Sequence, residues 1–254
     1  MKTEFKLDFA IIGTQKGGTT SAMNLLGRFH PNVKIPRREM SFFNKDGEYE
    51  KGIDYYEKLY LENINLPNKK MDLVFGEKTP EYSCDMKALK RLKKHYSGCK
   101  LVLFLRNPIT RAFSNYNMNK NKLGERINSF SDIIRYDYKT NPLGIVARGI
   151  YINQIKNILE IYDRNELIIL ISEKCKQNVV NEYNKIFRFI GVRELIETEF
   201  KYEKLKNKKW RNAGNYTDEI NEDDYMFLKK LYNPFNEDLY NFLGYEIQEW
   251  ETDK

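Results

Sequence analysis

The sequence predicts an α/β protein in which a central, mostly parallel β-sheet is flanked by helices. The first observation is that several short apolar runs lack alternation of polar and apolar residues, as expected of strands covered on both faces. The second is that longer amphipathic stretches with helical spacing separate these runs. The resulting β-α-β-α order is typical of a parallel sheet, because parallel strands are joined through crossover helices.

Each predicted element follows from its own stretch of the chain. Buried strands are predicted over residues 9–12, 73–75, 101–105 and 167–171. The apolar residues that predict helices are Ala22, Leu25, Leu26 and Phe29, then Leu89, Leu92 and Tyr96, and later Ile152, Ile155, Leu159 and Tyr162. Residues 187–210 predict a basic, aromatic loop, and 223–243 predict a final helical region broken at Asn233-Pro234. Since no Pro- or Gly-rich linker divides the chain, residues 1–254 are expected to form a single domain.

Composition excludes several classes of protein. The 254 residues include 43 Lys+Arg and 36 Asp+Glu, and the net charge of +7 predicts an anionic ligand or partner. Only two histidines and three widely spaced cysteines are present, which excludes a Cys/His zinc site, a disulfide framework and a Cys-x-x-Cys redox pair. Because lysines are spread along the whole chain, we expect a solvated surface and no nucleic-acid partner.

The sequence contains no pattern that predicts a transmembrane helix or a signal peptide. No apolar run reaches the length of a transmembrane helix, and the charged first ten residues do not resemble a signal peptide. We therefore expect a cytoplasmic protein without stable membrane insertion. The Lys-, Asn- and Ile-rich composition suggests a bacterial source, and nothing in the sequence indicates an oligomeric state.

A glycine-rich turn, Gly13-Thr-Gln-Lys-Gly-Gly-Thr-Thr-Ser21, lies between the first predicted strand and the first predicted helix. Backbone N–H groups and a helix N-terminus at such a turn can bind a phosphate or sulfate. The glycines have the spacing of the nucleotide loop G-x-x-x-x-G-K-[ST], but Thr19 stands where that loop has lysine. Lys16 carries the positive charge instead, and no aspartate follows the third predicted strand to bind magnesium. The turn therefore predicts phosphate binding by cationic side chains without a metal.

Charged side chains follow the other predicted strands as well. Lys78 follows the second strand, and Arg106 follows the third, with Ser114 on the helix after it. Glu39 supplies a carboxylate among cations between the first two strands. Because ligands of parallel sheets bind at the carboxyl ends of the strands, these residues predict one charged site at that edge.

At these residues the chain resembles the sulfotransferases that use 3′-phosphoadenosine 5′-phosphosulfate (PAPS), and within them the carbohydrate branch typified by the heparan sulfate enzymes. The specific motifs are IIGTQKGGTT at 11–20 and LFLRNPITRAFSNY at 103–116. Supporting matches lie at 39–43, 77–82 and 231–244, so the resemblance covers nearly the whole chain in the family's order. It implies a P-loop-like fold and transfer of a sulfuryl group to a carbohydrate hydroxyl, with 3′-phosphoadenosine 5′-phosphate (PAP) as product.

The resemblance also implies which residues bind the donor. Those expected at the 5′-phosphosulfate are Lys16, Gly17, Gly18, Thr19 and Thr20. Those expected at the 3′-phosphate are Arg106 and Ser114, since a guanidinium can bind phosphate bidentately and a hydroxyl adds a donor.

Two further segments are assigned to the donor on the same grounds. The basic segment 206–212 sits where the family closes over the nucleotide, which assigns Lys209, Trp210 and Arg211 to it. Tyr151 matches a further donor-binding position, although Gly149 replaces the serine that is usual two residues earlier.

The resemblance implies that catalysis needs a general base and cations but no metal. Glu39 matches the glutamate that removes the acceptor's proton in the carbohydrate branch, whereas phenol and steroid sulfotransferases use histidine. Lys16 and Lys78 would neutralise the leaving phosphate and the transferring group. Ser41 stands where the family often has histidine, two residues after the base.

Other functions stay open on sequence grounds. The acceptor could be a glycan, a polysaccharide or a glycolipid, or instead a natural-product or lipid hydroxyl. A nucleotide kinase or triphosphatase would use the same glycine turn, although the displaced lysine and missing magnesium aspartate count against it. A basic nucleic-acid-binding protein is a third class, and no recognised motif supports it.

Overall fold

The computed structural model describes residues 5–67, 72–124, 128–141, 143–200 and 219–252. Its centre is a five-stranded sheet with the order β2-β3-β1-β4-β5, in which every neighbouring pair is parallel. The strands are β1 Phe9–Gly13, β2 Val33–Lys34, β3 Val74–Lys78, β4 Lys100–Leu105 and β5 Leu167–Ile171. The four predicted strands are confirmed, while the two residues of β2 are too short for an apolar pattern to reveal.

Helices connect the strands and cover the sheet. They are α1 Thr19–Phe29, α2 Asp46–Tyr49, α3 Ile53–Glu62, α4 Met86–His95, α5 Pro108–Leu123, α6 Phe130–Thr140, α7 Tyr151–Leu159, α8 Ser172–Gln177, α9 Val179–Ile190, α10 Glu222–Leu243 and α11 Glu249–Thr252. Polar side chains begin several of them. Asp85 accepts a hydrogen bond from Ala88 N at the start of α4, and Asn107 accepts from the first turn of α5.

Two predictions about the chain after residue 186 need correction. The predicted break at Asn233-Pro234 is wrong, because α10 continues through Pro234. Tyr232 before the proline and Leu239 after it are both buried in the core, and this packing outweighs the lost backbone hydrogen bond. The loop predicted from residue 187 also begins too early, since 187–190 complete α9 with a buried face. Residues 201–210 of that loop lie outside the described residues.

The apolar runs are explained by cores on both faces of the sheet. Ala10, Ile12 and Leu103 pack into one core with α3, α4, α7 and α10. Phe9, Ile11 and Phe104 point to the other face and pack with α1 and α9. Alternate residues of one strand enter different cores, so both faces of the sheet are buried. The strands can therefore be apolar at every position. A third cluster joins α5, α6 and α10 beside the sheet.

This topology brings four strand ends to one edge of the sheet. The glycine turn follows β1, Thr79 follows β3, Arg106 follows β4 and Ser172 follows β5. The three cysteines are free thiols. Among the described helices, none combines the length and apolar character that crossing a membrane would require.

Candidate functional site

A cleft of about 520 Å³ opens at the carboxyl edge of the sheet, as the strand-end rule predicts. The predicted residues that line it are Lys16, Gly17, Gly18, Thr19, Thr20, Glu39, Arg106 and Ser114. They come from the glycine turn, the segment after β2, the end of β4 and helix α5. The structure therefore brings together residues that are nearly a hundred positions apart in sequence.

The backbone of the glycine turn is held in a defined shape. Gly18 has a φ of 90° just before α1 begins, a conformation that glycine adopts without steric cost. A Cβ on Gly17 would lie 2.9 Å from the Thr14 carbonyl oxygen and 3.0 Å from that of Phe104. The Ser172 hydroxyl donates to the Gly17 carbonyl at 2.5 Å, which ties the turn to the end of β5.

The N-terminus of α1 is suited to bind an anion. No side chain caps it, its first turn contains no acidic residue, and Gly18, Thr19 and Thr20 at this end line the cleft. The first N–H groups and the positive end of the helix dipole are therefore available to an anion there. Lys16 adds a cation on the same turn. This arrangement fits a phosphate or sulfate group.

Lys78 links the candidate base to the glycine turn. Its Nζ lies 2.6 Å from Glu39 Oε1 and donates to Thr20 Oγ1 at 3.2 Å. The Lys78 side chain is 6% exposed, whereas that of Glu39 is 41% exposed. The lysine is therefore fixed inside β3, while the carboxylate remains open to a molecule that enters the cleft.

The segment that carries Glu39 is fastened to the chain that follows β3. Ser41 N donates to Thr79 Oγ1 at 3.1 Å, and Phe43 N donates to the Tyr82 hydroxyl at 3.3 Å. The Phe43 ring is fully buried behind these hydrogen bonds. Glu39 is thus presented at the cleft by a backbone anchored two and four residues further on.

Arg106 and Ser114 line the cleft beyond the glycine turn. The Arg106 guanidinium donates to the Lys16 carbonyl at 3.3 Å and to Thr110 Oγ1 at 3.2 Å. Tyr151 lies behind this arginine rather than on the cleft wall. It is buried in the core, and its hydroxyl donates to the Arg106 carbonyl at 2.7 Å. Its observed contact therefore supports the Arg106 backbone.

Sequence reasoning missed several residues of the cleft. Phe104, Cys175 and Tyr183 form a buried, largely apolar part of its wall near Ser172. Burial raises the pKa of both the Cys175 thiol and the Tyr183 hydroxyl, so both stay protonated at neutral pH. Ser172 directly follows β5, so the strand-end rule could have found it, whereas nothing in the pattern of α9 marks Tyr183.

A polar network on the cleft wall was also missed. Gln15 Oε1 accepts hydrogen bonds from Asn115 Nδ2 at 2.6 Å and from the Arg148 guanidinium at 3.1 Å. Its amide nitrogen lies 3.5 Å from Glu81 Oε1, and both Gln15 and Glu81 line the cleft. The Gln15 amide and the Glu81 carboxylate therefore form part of the cleft wall.

The remaining predictions concern the basic segment 206–212 and a metal. Lys209, Trp210 and Arg211 lie outside the described residues, so their assignment to the nucleotide stays a prediction. Within the described ranges, no group of three or more His, Cys, Asp or Glu side chains is arranged to hold a metal ion.

Comparison with known proteins identifies the family. A family model described as the sulfotransferase domain matches residues 6–233. The chain belongs to this family. Its parallel sheet flanked by helices is the P-loop-like fold of sulfotransferases, and the fold prediction is confirmed.

Curated relatives support the carbohydrate branch of this family. Human heparan sulfate glucosamine 3-O-sulfotransferase 3B1 is 26% identical over 259 residues, covering 93% of this chain and 63% of that protein. The mouse heparan sulfate glucosamine 3-O-sulfotransferase 6 is 24% identical over 256 residues, with 93% and 72% covered. The chain therefore spans less than two thirds of the length of the 3B1 relative.

Solved structures share the fold. A sulfotransferase from Alicyclobacillus acidocaldarius superposes with a TM-score of 0.73 at 21% identity, over 98% of this chain and all of that one. Mouse sulfotransferase SULT7A1, which was solved with PAP, gives a TM-score of 0.58 at 12% identity, over 91% of this chain and 83% of that one.

Proposed function

We propose that this sulfotransferase-family protein transfers a sulfuryl group from PAPS to a hydroxyl of a carbohydrate acceptor. The observation that carries the proposal is the Lys78 ammonium, which contacts both Glu39 and Thr20. One cation thereby joins a candidate base to an anion-binding turn. The relatives named as heparan sulfate 3-O-sulfotransferases support a sugar hydroxyl as the acceptor.

The residues present fit the donor. The uncapped N-terminus of α1 and Lys16 suit the 5′-phosphosulfate, and the proposed contacts there are Lys16, Gly17, Gly18, Thr19 and Thr20. Arg106 and Ser114 are the proposed contacts of the 3′-phosphate. The buried apolar wall near Phe104 and Tyr183 is the proposed contact of the nucleotide's base. Lys209, Trp210 and Arg211 remain predicted contacts from outside the described residues.

The proposed chemistry follows from the charges at the cleft. PAPS supplies the sulfuryl group and a phosphate leaving group. Glu39 accepts the proton of the acceptor hydroxyl, whose oxygen forms the new bond to sulfur as the bond to the phosphate oxygen breaks. Lys16 and Lys78 stabilise the negative charge that develops on the leaving oxygen and on the transferring group. Lys78 also orients Glu39 through their 2.6 Å ion pair.

We also propose that residues 1–254 fold as a single domain in the cytoplasm. The match to the family covers residues 6–233, and the chain beyond it packs back on the same core. Ile247 and Trp250 are both buried in the core cluster that also contains strands β1 and β4.

The test combines donor binding with transfer. Calorimetry should show that the protein binds PAP, and labelled PAPS should label one or more glycans in a panel that also contains lipid and natural-product hydroxyls. Glu39→Gln should lower kcat by at least about a hundredfold and leave PAP affinity within about threefold, because only the proton acceptor is lost. Glu160→Gln, which alters an exposed carboxylate at the far end of α7, is the matched control.

The outcomes separate the parts of the proposal. Failure to bind PAP at millimolar concentration would contradict the donor site. Full transfer by Glu39→Gln would remove this residue from the role of base. Transfer to lipid or natural-product hydroxyls in preference to every glycan would overturn the carbohydrate acceptor.

A further inference from the structure

Glu77 precedes Lys78 on β3, but its side chain points to the opposite face of the strand, into the core. Its carboxyl group is fully buried beside α3 and the chain around α4. Tyr56 donates a hydrogen bond to its Oε2 at 2.8 Å. Within the described part of the chain, Oε1 has no hydrogen-bond partner of ordinary geometry. A carboxyl group in such a setting needs an explanation, because burying it without full pairing is costly.

The groups beside Glu77 also hold the segment that carries Glu39. The Tyr82 hydroxyl lies close to the Glu77 carboxyl, where it partly offsets the rise in pKa that burial causes. The same hydroxyl accepts the hydrogen bond from Phe43 N. The Tyr56 ring packs against the Phe43 ring with 5.2 Å between their centroids. Both hydroxyls that face Glu77 therefore belong to rings that anchor Phe43.

The anchored segment needs this restraint. Ser41 has a φ of 50°, in the left-handed region that residues other than glycine seldom adopt. Its backbone N–H is held by Thr79, two residues after Glu77 on the same stretch of chain. If the contacts around Glu77 loosened, the segment would relax toward a more common conformation, and Glu39 would leave its place against Lys78.

The charge of Glu77 matters because, among the described residues, the groups that interact with its carboxyl are tyrosines and a cysteine. The titratable groups that face it are Tyr56, Tyr60, Tyr82, Tyr96 and Cys99. Burial raises the pKa of each of these groups, so all are uncharged at neutral pH. Desolvation also raises the pKa of the Glu77 carboxyl, to about 7. The neutral acid puts no charge into this aromatic cluster, whereas the ionised form would place one there while Oε1 lacks a hydrogen-bond partner among the described residues.

We propose that Glu77 is a positioning residue for sulfuryl transfer. It acts through Tyr56 and Tyr82, which hold the backbone after Glu39 so that the Glu39 carboxylate stays beside Lys78 and the glycine turn. This inference rests on the proposed function. It assigns to Glu77 no contact with either substrate.

The test compares two changes at this residue. Glu77→Gln keeps the size and hydrogen-bonding ability of the neutral acid, and Glu77→Leu removes the hydrogen bonds. Wild-type kcat should fall as the pH rises through about 7, and Glu77→Gln should abolish this fall while keeping kcat in mild acid within about twofold. Glu77→Leu should lower kcat about tenfold with PAP affinity changed less than about twofold.

A second pair of variants keeps the test informative if the leucine variant does not fold. Tyr56→Phe removes the hydroxyl that donates to Glu77 and should lower kcat severalfold with PAP affinity intact. Tyr60→Phe is the matched control, since this hydroxyl donates to the Gly76 and Lys34 carbonyls, and its kcat should stay unchanged.

The possible failures are distinguishable. A wild-type protein that transfers no sulfuryl group overturns the proposed function and this inference with it. A wild-type protein that transfers overturns the inference alone if Glu77→Gln keeps the alkaline fall in kcat. It does the same if Tyr56→Phe behaves like Tyr60→Phe.

Discussion

Replacing Glu77 with glutamine should stabilise the folded protein at mildly alkaline pH. Burial raises the pKa of the Glu77 carboxyl from 4.5 to about 7, so the unfolded chain releases this proton at lower pH than the folded protein. The stability associated with the neutral acid is complete below about pH 4.5 and is lost as the pH rises to about 7. Since one pKa unit corresponds to about 1.4 kcal/mol, the difference between 4.5 and about 7 amounts to roughly 3 kcal/mol of unfolding free energy.

Urea unfolding at about pH 5 and about pH 8 measures this effect. At pH 5 the wild-type protein and Glu77→Gln should differ little, because the folded carboxyl is already neutral. At pH 8 the variant should gain roughly 2 to 3 kcal/mol relative to wild type. Glu160→Gln, at an exposed position, controls for general effects of removing a charge. An advantage of Glu77→Gln that is equal at both pH values would refute a buried carboxyl with a raised pKa.

Three further changes test other parts of the structure. Gly17→Ala places a Cβ within 3.0 Å of two carbonyl oxygens and should weaken PAP binding at least about tenfold by calorimetry. Arg106→Lys should weaken binding of PAP about tenfold but leave adenosine 5′-phosphosulfate, which lacks the 3′-phosphate, nearly unaffected; equal losses would contradict the 3′-phosphate assignment. Asp85→Ala removes the 3.0 Å cap on Ala88 N and should cost about 1 kcal/mol in urea unfolding without changing transfer.

The strands of this protein are readable from local composition. The runs at 101–105 and 167–171 are apolar at every position, and they lie in β4 and β5, respectively. Strand β2 has only two residues, and it pairs with β3, a strand about forty residues later in the sequence. The continuity of α10 through Pro234 likewise depends on packing, because buried residues on both sides of the proline keep the helix against the core.

The candidate site was predictable in part. Lys16 and Arg106 follow strands and Lys78 ends one, so the parallel topology was enough to bring them to one edge. The ion pair between Lys78 and Glu39 was not predictable, because the path of the segment after β2 depends on its hydrogen bonds to Thr79 and Tyr82. The surroundings of Tyr151 were also not predictable. Its motif position suggested a contact with the donor, and its hydroxyl contacts the Arg106 carbonyl from the core side.

Local sequence was sufficient for the parallel sheet, the glycine turn and the cations at the strand ends, because each depends on residues that are neighbours in the chain. The placement of Glu39 and the environment of Glu77 depend instead on side chains from several elements that fold against one another. Burial of the Glu77 carboxyl among tyrosines of α3 and of the turn after β3 is such a case. The raised pKa of this carboxyl follows from desolvation, which only long-range packing can produce.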